Sequence, residues 1–198
     1  QPLDEETLAP EGSPYKIADA NITKKEKKIE CIFDIDMNAD FSKMLITADR
    51  KNVPLSKNEK KKGRDEKAYA LSYWLIDSDF KLVNSSRDVQ FGKGYTILVD
   101  KTFDNEGNIC LLGFERKSQD KKKKVSEGES RLVMKIIRIN GTTDDLSFAE
   151  GEYFYSASLA LNPNTGNVAV VGLLSSGSYG AKGIFMQQVN LSTGEVLV

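Results

Sequence analysis

Tyr69, Tyr73 and Trp74 fall within one short apolar segment of this chain, Tyr153, Phe154 and Tyr155 within another, and Tyr179 in a glycine-rich stretch. Each tyrosine, and the tryptophan, joins an aromatic face to a polar handle. Exposed together at one end of a sheet, they could stack on sugar rings or anchor a peptide. Packing between neighbouring sheets explains the first two groups equally well and is the favoured account of them. Other constellations are weaker. Asp34-Ile35-Asp36-Met37-Asn38-Ala39-Asp40 places oxygen ligands at alternate positions, as a calcium loop does. However, Ala39 stands where a sharp-turn glycine is needed and Leu45 where a bidentate glutamate is needed, so no metal is expected. Gly177-Ser178-Tyr179-Gly180-Ala181-Lys182-Gly183 lacks the spacing and the Lys-Ser/Thr ending of a phosphate-binding loop. It reads as a hairpin tip, with a ligand-covering loop as the alternative.

The chain has 0 histidines, which removes the commonest general base, the Ser-His-Asp and Cys-His constellations and histidine-based zinc or iron sites. No cofactor is implied. Lys and Arg number 28 against 29 Asp and Glu, for a net charge of −1, so no overall field attracts nucleic acid or an anionic membrane. The lysine runs at 57–62 and 121–124 are diluted by Glu59, Asp65, Glu66, Asp120, Glu127 and Glu129, and no aromatic residues interleave to stack bases. They read as solvated loop tips, and a nucleic-acid partner is not expected. No apolar run approaches the roughly 20 residues of a transmembrane helix. Gln1 in place of an initiator Met leads us to expect a processed, exported protein, periplasmic or extracellular. Cys31 and Cys110 are too few for a disulfide framework and read as buried core residues, with a single bridge as the alternative. Asn-x-Ser/Thr matches at Asn21, Asn84, Asn140 and Asn190 bear only on a glycosylating host.

The elements that would position these side chains recur about three times. Each unit is a β-rich segment, a turn of Asn, Asp and Gly, and a second apolar strand, clearest in Lys101 to Gly113 and in Leu159 to Gly172. Residues 1–28 are polar, hold Pro2, Pro10 and Pro14, and read as an extended arm. From Ile29 a strand, a turn at Asn38 to Ser42 and a strand Lys43 to Ala48 follow. A charged loop spans Asp49 to Lys67, and then come strands at Ala68 to Ile76 and Phe80 to Val83 around Asp77-Ser78-Asp79. The order repeats through Tyr95 to Phe103, Asn108 to Phe114, a charged loop from Glu115 to Ser130, and Arg131 to Ile139 with the hairpin signal Asn140-Gly141. A third pass runs from Tyr153 through Asn162-Pro163-Asn164-Thr165-Gly166, a Gly/Ser-rich loop over Ser175 to Gly183 and Ile184 to Leu191. It ends in the short segment Glu195 to Val198. Aligning the second strands puts Leu45, Leu111 and Val170 at equivalent positions, a spacing of about 60 residues against about 40–50 for a usual propeller blade. The two charged loops, both between second and third strands, account for the excess. No convincing helix is present.

This order of strands and turns resembles a β-propeller blade, particularly those of exported bacterial envelope proteins of unassigned function. The residues that carry the likeness are Phe103 to Gly113, Leu161 to Val168 and Tyr73 to Leu82. The resemblance covers residues 29–198 and implies a fold and an exported life, but no site. The expectation is an all-β, propeller-like array of about three four-stranded antiparallel blades (about 29–91, 92–150 and 151–198), an incomplete ring, with a β-sandwich as the alternative. A closed propeller has four to eight blades, so open edges would favour self-association or further blades of a longer parent. The expected function is a non-catalytic binding or scaffold module for a protein or glycan. Tyr69, Tyr73, Trp74, Tyr153, Tyr155 and Tyr179 are its candidate ligand contacts. Two alternatives stay open: a glycan hydrolase or lyase working through paired carboxylates, which need no histidine, and a structural piece of a larger propeller.

Overall fold

The computed structural model describes residues 30–53, 68–89, 95–116, 130–149, 152–175 and 180–197. The expected arm at 1–28, both lysine runs and Tyr179 lie outside them. The described chain is all-β. The first sheet pairs β1 (Glu30–Met37), β2 (Lys43–Val53), β3 (Ala68–Asp77) and β4 (Leu82–Val89) in that order. The second pairs β5 (Tyr95–Phe103), β6 (Ile109–Arg116), β7 (Ser130–Ile137) and β8 (Thr143–Phe148), and the third β9 (Phe154–Asn162), β10 (Asn167–Ser175) and β11 (Ala181–Asn190). Every pairing is antiparallel between chain neighbours, giving three stacked meanders in a propeller-like array. The fourth strand of the third sheet is reduced to one bridge, Val189 to Val196. It is flanked by backbone bonds from Asn190 N–H to the Glu195 carbonyl (2.9 Å) and from Leu197 N–H to that of Gln188 (2.8 Å). The strands outrun the sequence reading where charge was taken for loop. Asp49 to Val53 continue β2, and Ser175 and Ala181 to Gly183 belong to β10 and β11, because ladder pairing satisfies the backbone whatever the side chains.

The sheets bury their faces against one another. Leu45, Leu71, Tyr73 and Leu75 of the first meet Phe103, Ile109, Leu111, Val133 and Ile137 of the second. The second sheet's other face, with Cys110, Leu112, Leu132, Met134, Ile136 and Phe148, meets Phe154, Val168, Val170, Val189 and Leu191 of the third. Strand pairing also corrects the alignment of repeats. Met37 pairs with Met44, Phe103 with Ile109 and Leu161 with Val168, so the equivalents of Leu111 and Val170 are Ile46 and not Leu45. The first turn holds one residue more than the second. A slip of one moves a side chain to the opposite face, and Leu45 accordingly packs toward the second sheet while Ile46 packs on the far face.

Candidate functional site

Six hairpin turns lie at one end of the sheets, and each is built from local hydrogen bonds. The Asn38 side-chain carbonyl accepts from Lys43 N–H (2.8 Å), and the Asp77 carboxylate from Asp79 N–H (3.0 Å) and Lys81 N–H (2.8 Å). Buried Asp104 accepts from the N–H groups of Gly107 and Asn108, both at 2.8 Å. Asn140 accepts from Thr142 N–H (3.0 Å), Asn162 from Asn164 N–H (3.1 Å) and Asn190 from Thr193 N–H (3.0 Å). Turn formation thus explains these Asx residues without a ligand. The turns are also joined across sheets. Lys43 Nζ donates to the Asn105 carbonyl (2.6 Å), and Arg138 Nε donates to that of Ser192 (2.6 Å).

The candidate aromatic residues do not form one site. Tyr73 and Trp74 are neighbours on β3 and therefore point to opposite faces. Tyr73 is buried toward the second sheet, where burial raises its hydroxyl pKa, beside a cleft of about 360 Å³ shared with Ser86, Lys135 and Thr143. Trp74 is buried on the other face and stacks on Phe33 with ring centroids 6.3 Å apart. Tyr153 and Tyr155 are half-buried beyond the second sheet. The Tyr153 carbonyl accepts from Ser175 N–H (2.8 Å) and the Tyr155 hydroxyl from Gly180 N–H (3.1 Å), so both brace the loop end of the third sheet. Tyr69 lies on β3.

The densest polar cluster runs along three edge strands, β1, β5 and β9, and was not anticipated. Lys101 on β5, with its side chain 10% exposed, reaches back to Asp34 (2.7 Å) and Asp36 (2.6 Å) on β1. One residue earlier, the Asp100 carboxylate reaches forward to β9 and accepts from Leu159 N–H (2.8 Å) and the Ser158 hydroxyl (2.9 Å). Successive residues of a strand point to opposite faces, so Asp100 and Lys101, in regular register just past a bulge at Leu98/Asp100, serve opposite neighbours. The Lys101 hydrogen bond, then its charge, holds the Asp34 carboxyl below its usual value. Burial alone would lower the Lys101 pKa, but the hydrogen bonds and charges of Asp34 and Asp36 outweigh it and raise it. Beside this cluster lies a cleft of about 310 Å³ lined by Thr47, Asp49, Leu98 and Val99 among others. Chemically the cluster is a pair of clamps, with its carboxylates engaged in holding three sheets together. By register Asp34, Asp100 and Ser158 are the same position of the repeat, which aligning first strands would have revealed.

Sequence reasoning also missed Phe41 and Phe80, both with φ of 59° in turns of the first sheet. Gly107 and Gly141 hold the matching places in the second, with the same backbone bond to the first turn residue. A phenylalanine in this left-handed region costs about 1–2 kcal/mol. Among the described residues no group of three or more His, Cys, Asp or Glu side chains could hold a metal, and no helix is long and apolar enough to cross a membrane. Cys31 and Cys110 are free thiols, and burial pushes the pKa of Cys110 strongly upward. No protein-family model matches the chain, and no curated protein matches it.

Proposed function

We propose that this chain is a non-catalytic, propeller-type scaffold, of the kind found in exported bacterial envelope proteins, that presents the loop end of its sheets to a protein or glycan outside the cytoplasm. The observation that carries this reading is the division of labour between the two ends. Six short hairpin turns sit at one end, and the short turn closed by Glu152 N–H on the Ala149 carbonyl (2.9 Å) sits at the other. The longer connections, β2 to β3 and β6 to β7 above all, leave from that second end too. A rigid frame with length concentrated on one face is the arrangement that supports a variable docking surface. The carboxylates most suited to glycoside chemistry, Asp34, Asp36 and Asp100, are engaged in inter-sheet clamps, which favours scaffold over enzyme.

The test is titration of the purified chain against an array of polysaccharides and peptidoglycan fragments, with wild type beside a variant whose residues 117–129 are replaced by Asn-Gly. Binding without product release, weakened at least tenfold by the loop replacement, supports the scaffold. Release of reducing ends that Asp100→Asn abolishes overturns it in favour of the hydrolase.

A further inference from the structure

The outer face of the first sheet is dry along its middle and wet at its edges. On that face Ile46 is 6% and Ala48 0% exposed on β2, and Trp74 is 7% and Ile76 0% exposed on β3. Their described neighbours, Cys31 and Met44 included, all belong to the first sheet itself, which supplies lateral contacts but no cover. The third sheet shows what lateral contacts alone achieve. On its outer face Val171 and Leu173 also lie on a central strand between paired neighbours, and each is 37% exposed. At the edges of the first sheet's face Phe33 (49%) and Ile35 (60%) on β1 are open, and Ser85 on β4, opposite Trp74, is exposed. The covered strip is therefore two strands wide, about 10 Å, which suits one extended segment and is too narrow for another sheet.

We infer that residues 15–22 of this same chain lie across β2 and β3 and cap the first sheet. Of the chain outside the described residues, this stretch has the composition the face requires. Tyr15, Ile17, Ala18, Ala20 and Ile22 are apolar, and they alternate with Lys16 and then, after one shift at Ile17-Ala18, with Asp19 and Asn21. Its length, extended, is about 26 Å, against about 13 Å from Met44 to Ala48. Residues 23–29 then reach up to about 24 Å, enough to return to the start of β1 from a layer about 10 Å above the sheet. The rival segments fit less well. Residues 54–67 hold Pro54 and Leu55 as their only apolar side chains, among mostly charged ones. Residues 90–94 are taken up in joining β4 to β5, and residues 117–129 join two strands of the second sheet, which packs on the opposite face. A terminal cap is what a stacked array needs where a unit would otherwise end in an apolar face. The inference does not depend on any loop-end ligand, so capping and glycan binding succeed or fail separately.

The single indole of the chain, that of Trp74, reads the cap directly. In the wild-type chain its emission should be that of a buried ring and resist acrylamide quenching, equally at all protein concentrations. Ile17→Asp with Ile22→Asp should shift the emission to longer wavelength and raise the quenching constant severalfold while far-ultraviolet circular dichroism keeps its β signature. Leu55→Asp should change neither reading. Should the double variant fail to fold, wild-type chain labelled at its isoleucine methyls answers the question without substitution: nuclear Overhauser cross-peaks are expected between the Trp74 ring and the methyls of Ile17 or Ile22. An unshifted Trp74 in a folded double variant, or the absence of those cross-peaks, overturns the inference. Exposure of Trp74 by Leu55→Asp overturns it in favour of the β2–β3 connection, and shielding that is lost on dilution overturns it in favour of a second copy.

Discussion

The interface between the second and third sheets is built differently from that between the first and second. The former is largely an apolar sandwich. Phe185 of the third sheet lies 5.9 Å from Phe148 of the second and edge-on to Phe154 at 5.6 Å, and Phe154 packs beside Gly172, whose lack of a side chain admits the ring. The Asp100 hydrogen bonds to Ser158 and Leu159 are its polar join. The latter holds leucines and isoleucines too, but also Tyr73, Thr47, the Lys101 clamp and Lys135, which pairs with Asp145 within its own sheet at 2.8 Å. Apolar contact is indifferent to pH and tolerant of register, whereas an ion pair demands geometry and a charge state. The third sheet should therefore behave as one body with the second, and the first as the more separable unit.

The largest effect expected is at the apolar interface. Phe154→Ala removes a ring buried to 1% exposure and should cost about 3–5 kcal/mol, read as a fall in the urea midpoint with unchanged slope. Gly172→Ala attacks the same contact from the other side. A Cβ there would stand 2.7 Å from two Phe154 ring carbons, so the ring must shift, at a cost of about 1–3 kcal/mol. If either change is neutral, the second and third sheets are not held together by this packing and the comparison fails.

The polar interface should respond less and in a diagnostic way. Lys101→Ala leaves Asp34 and Asp36 facing each other without their shared cation. Loss of one partner of a buried pair can cost 3–5 kcal/mol, but these carboxylates are 64% and 42% exposed, so water screens the effect to about 1–2 kcal/mol. Lys101→Met, which keeps the stem that covers apolar surface, should recover part of that loss. Equal losses in both variants would mean that charge alone carries the clamp.

How these interfaces were legible in the sequence follows from what is local. Each hairpin is specified by its own turn residues, so Asp104, Asn140 with Gly141, and Asn162 revealed the meander order before any contact was known. Face assignment was less secure, since it depends on counting through turns of unequal length. One added residue between Met37 and Met44 was enough to exchange Leu45 for Ile46. The Lys101 and Asp100 clamps were hidden because they join strands more than fifty residues apart. The aromatic residues misdirected attention because Tyr73 and Trp74, adjacent in sequence, cannot share a face of a strand. Phe41 and Phe80 were readable in principle, as phenylalanines standing where the sister turns have Gly107 and Gly141.

The smallest expected effect concerns pH and separates the two interfaces most cleanly. The Asp34 pKa is depressed in the fold, so its contribution is present above the ordinary carboxylate value of 3.8 and is lost as pH falls through the lower folded value. The Lys101 pKa is raised, so its contribution is complete below 10.5 and is lost only as pH climbs through a still higher folded value. Between those limits the clamp should be insensitive to pH. Trp74, the chain's 1 tryptophan, lies on the first sheet and reports on it selectively, whereas far-ultraviolet circular dichroism reports on all three sheets. At pH 6 urea unfolding followed by the two probes should coincide. At pH 3 the fluorescence midpoint should move below the dichroism midpoint, as the first sheet separates from the more apolar pair formed by the second and third. Midpoints that fall together at pH 3 would show that the two interfaces unfold as one cooperative unit and that their chemical difference has no energetic consequence.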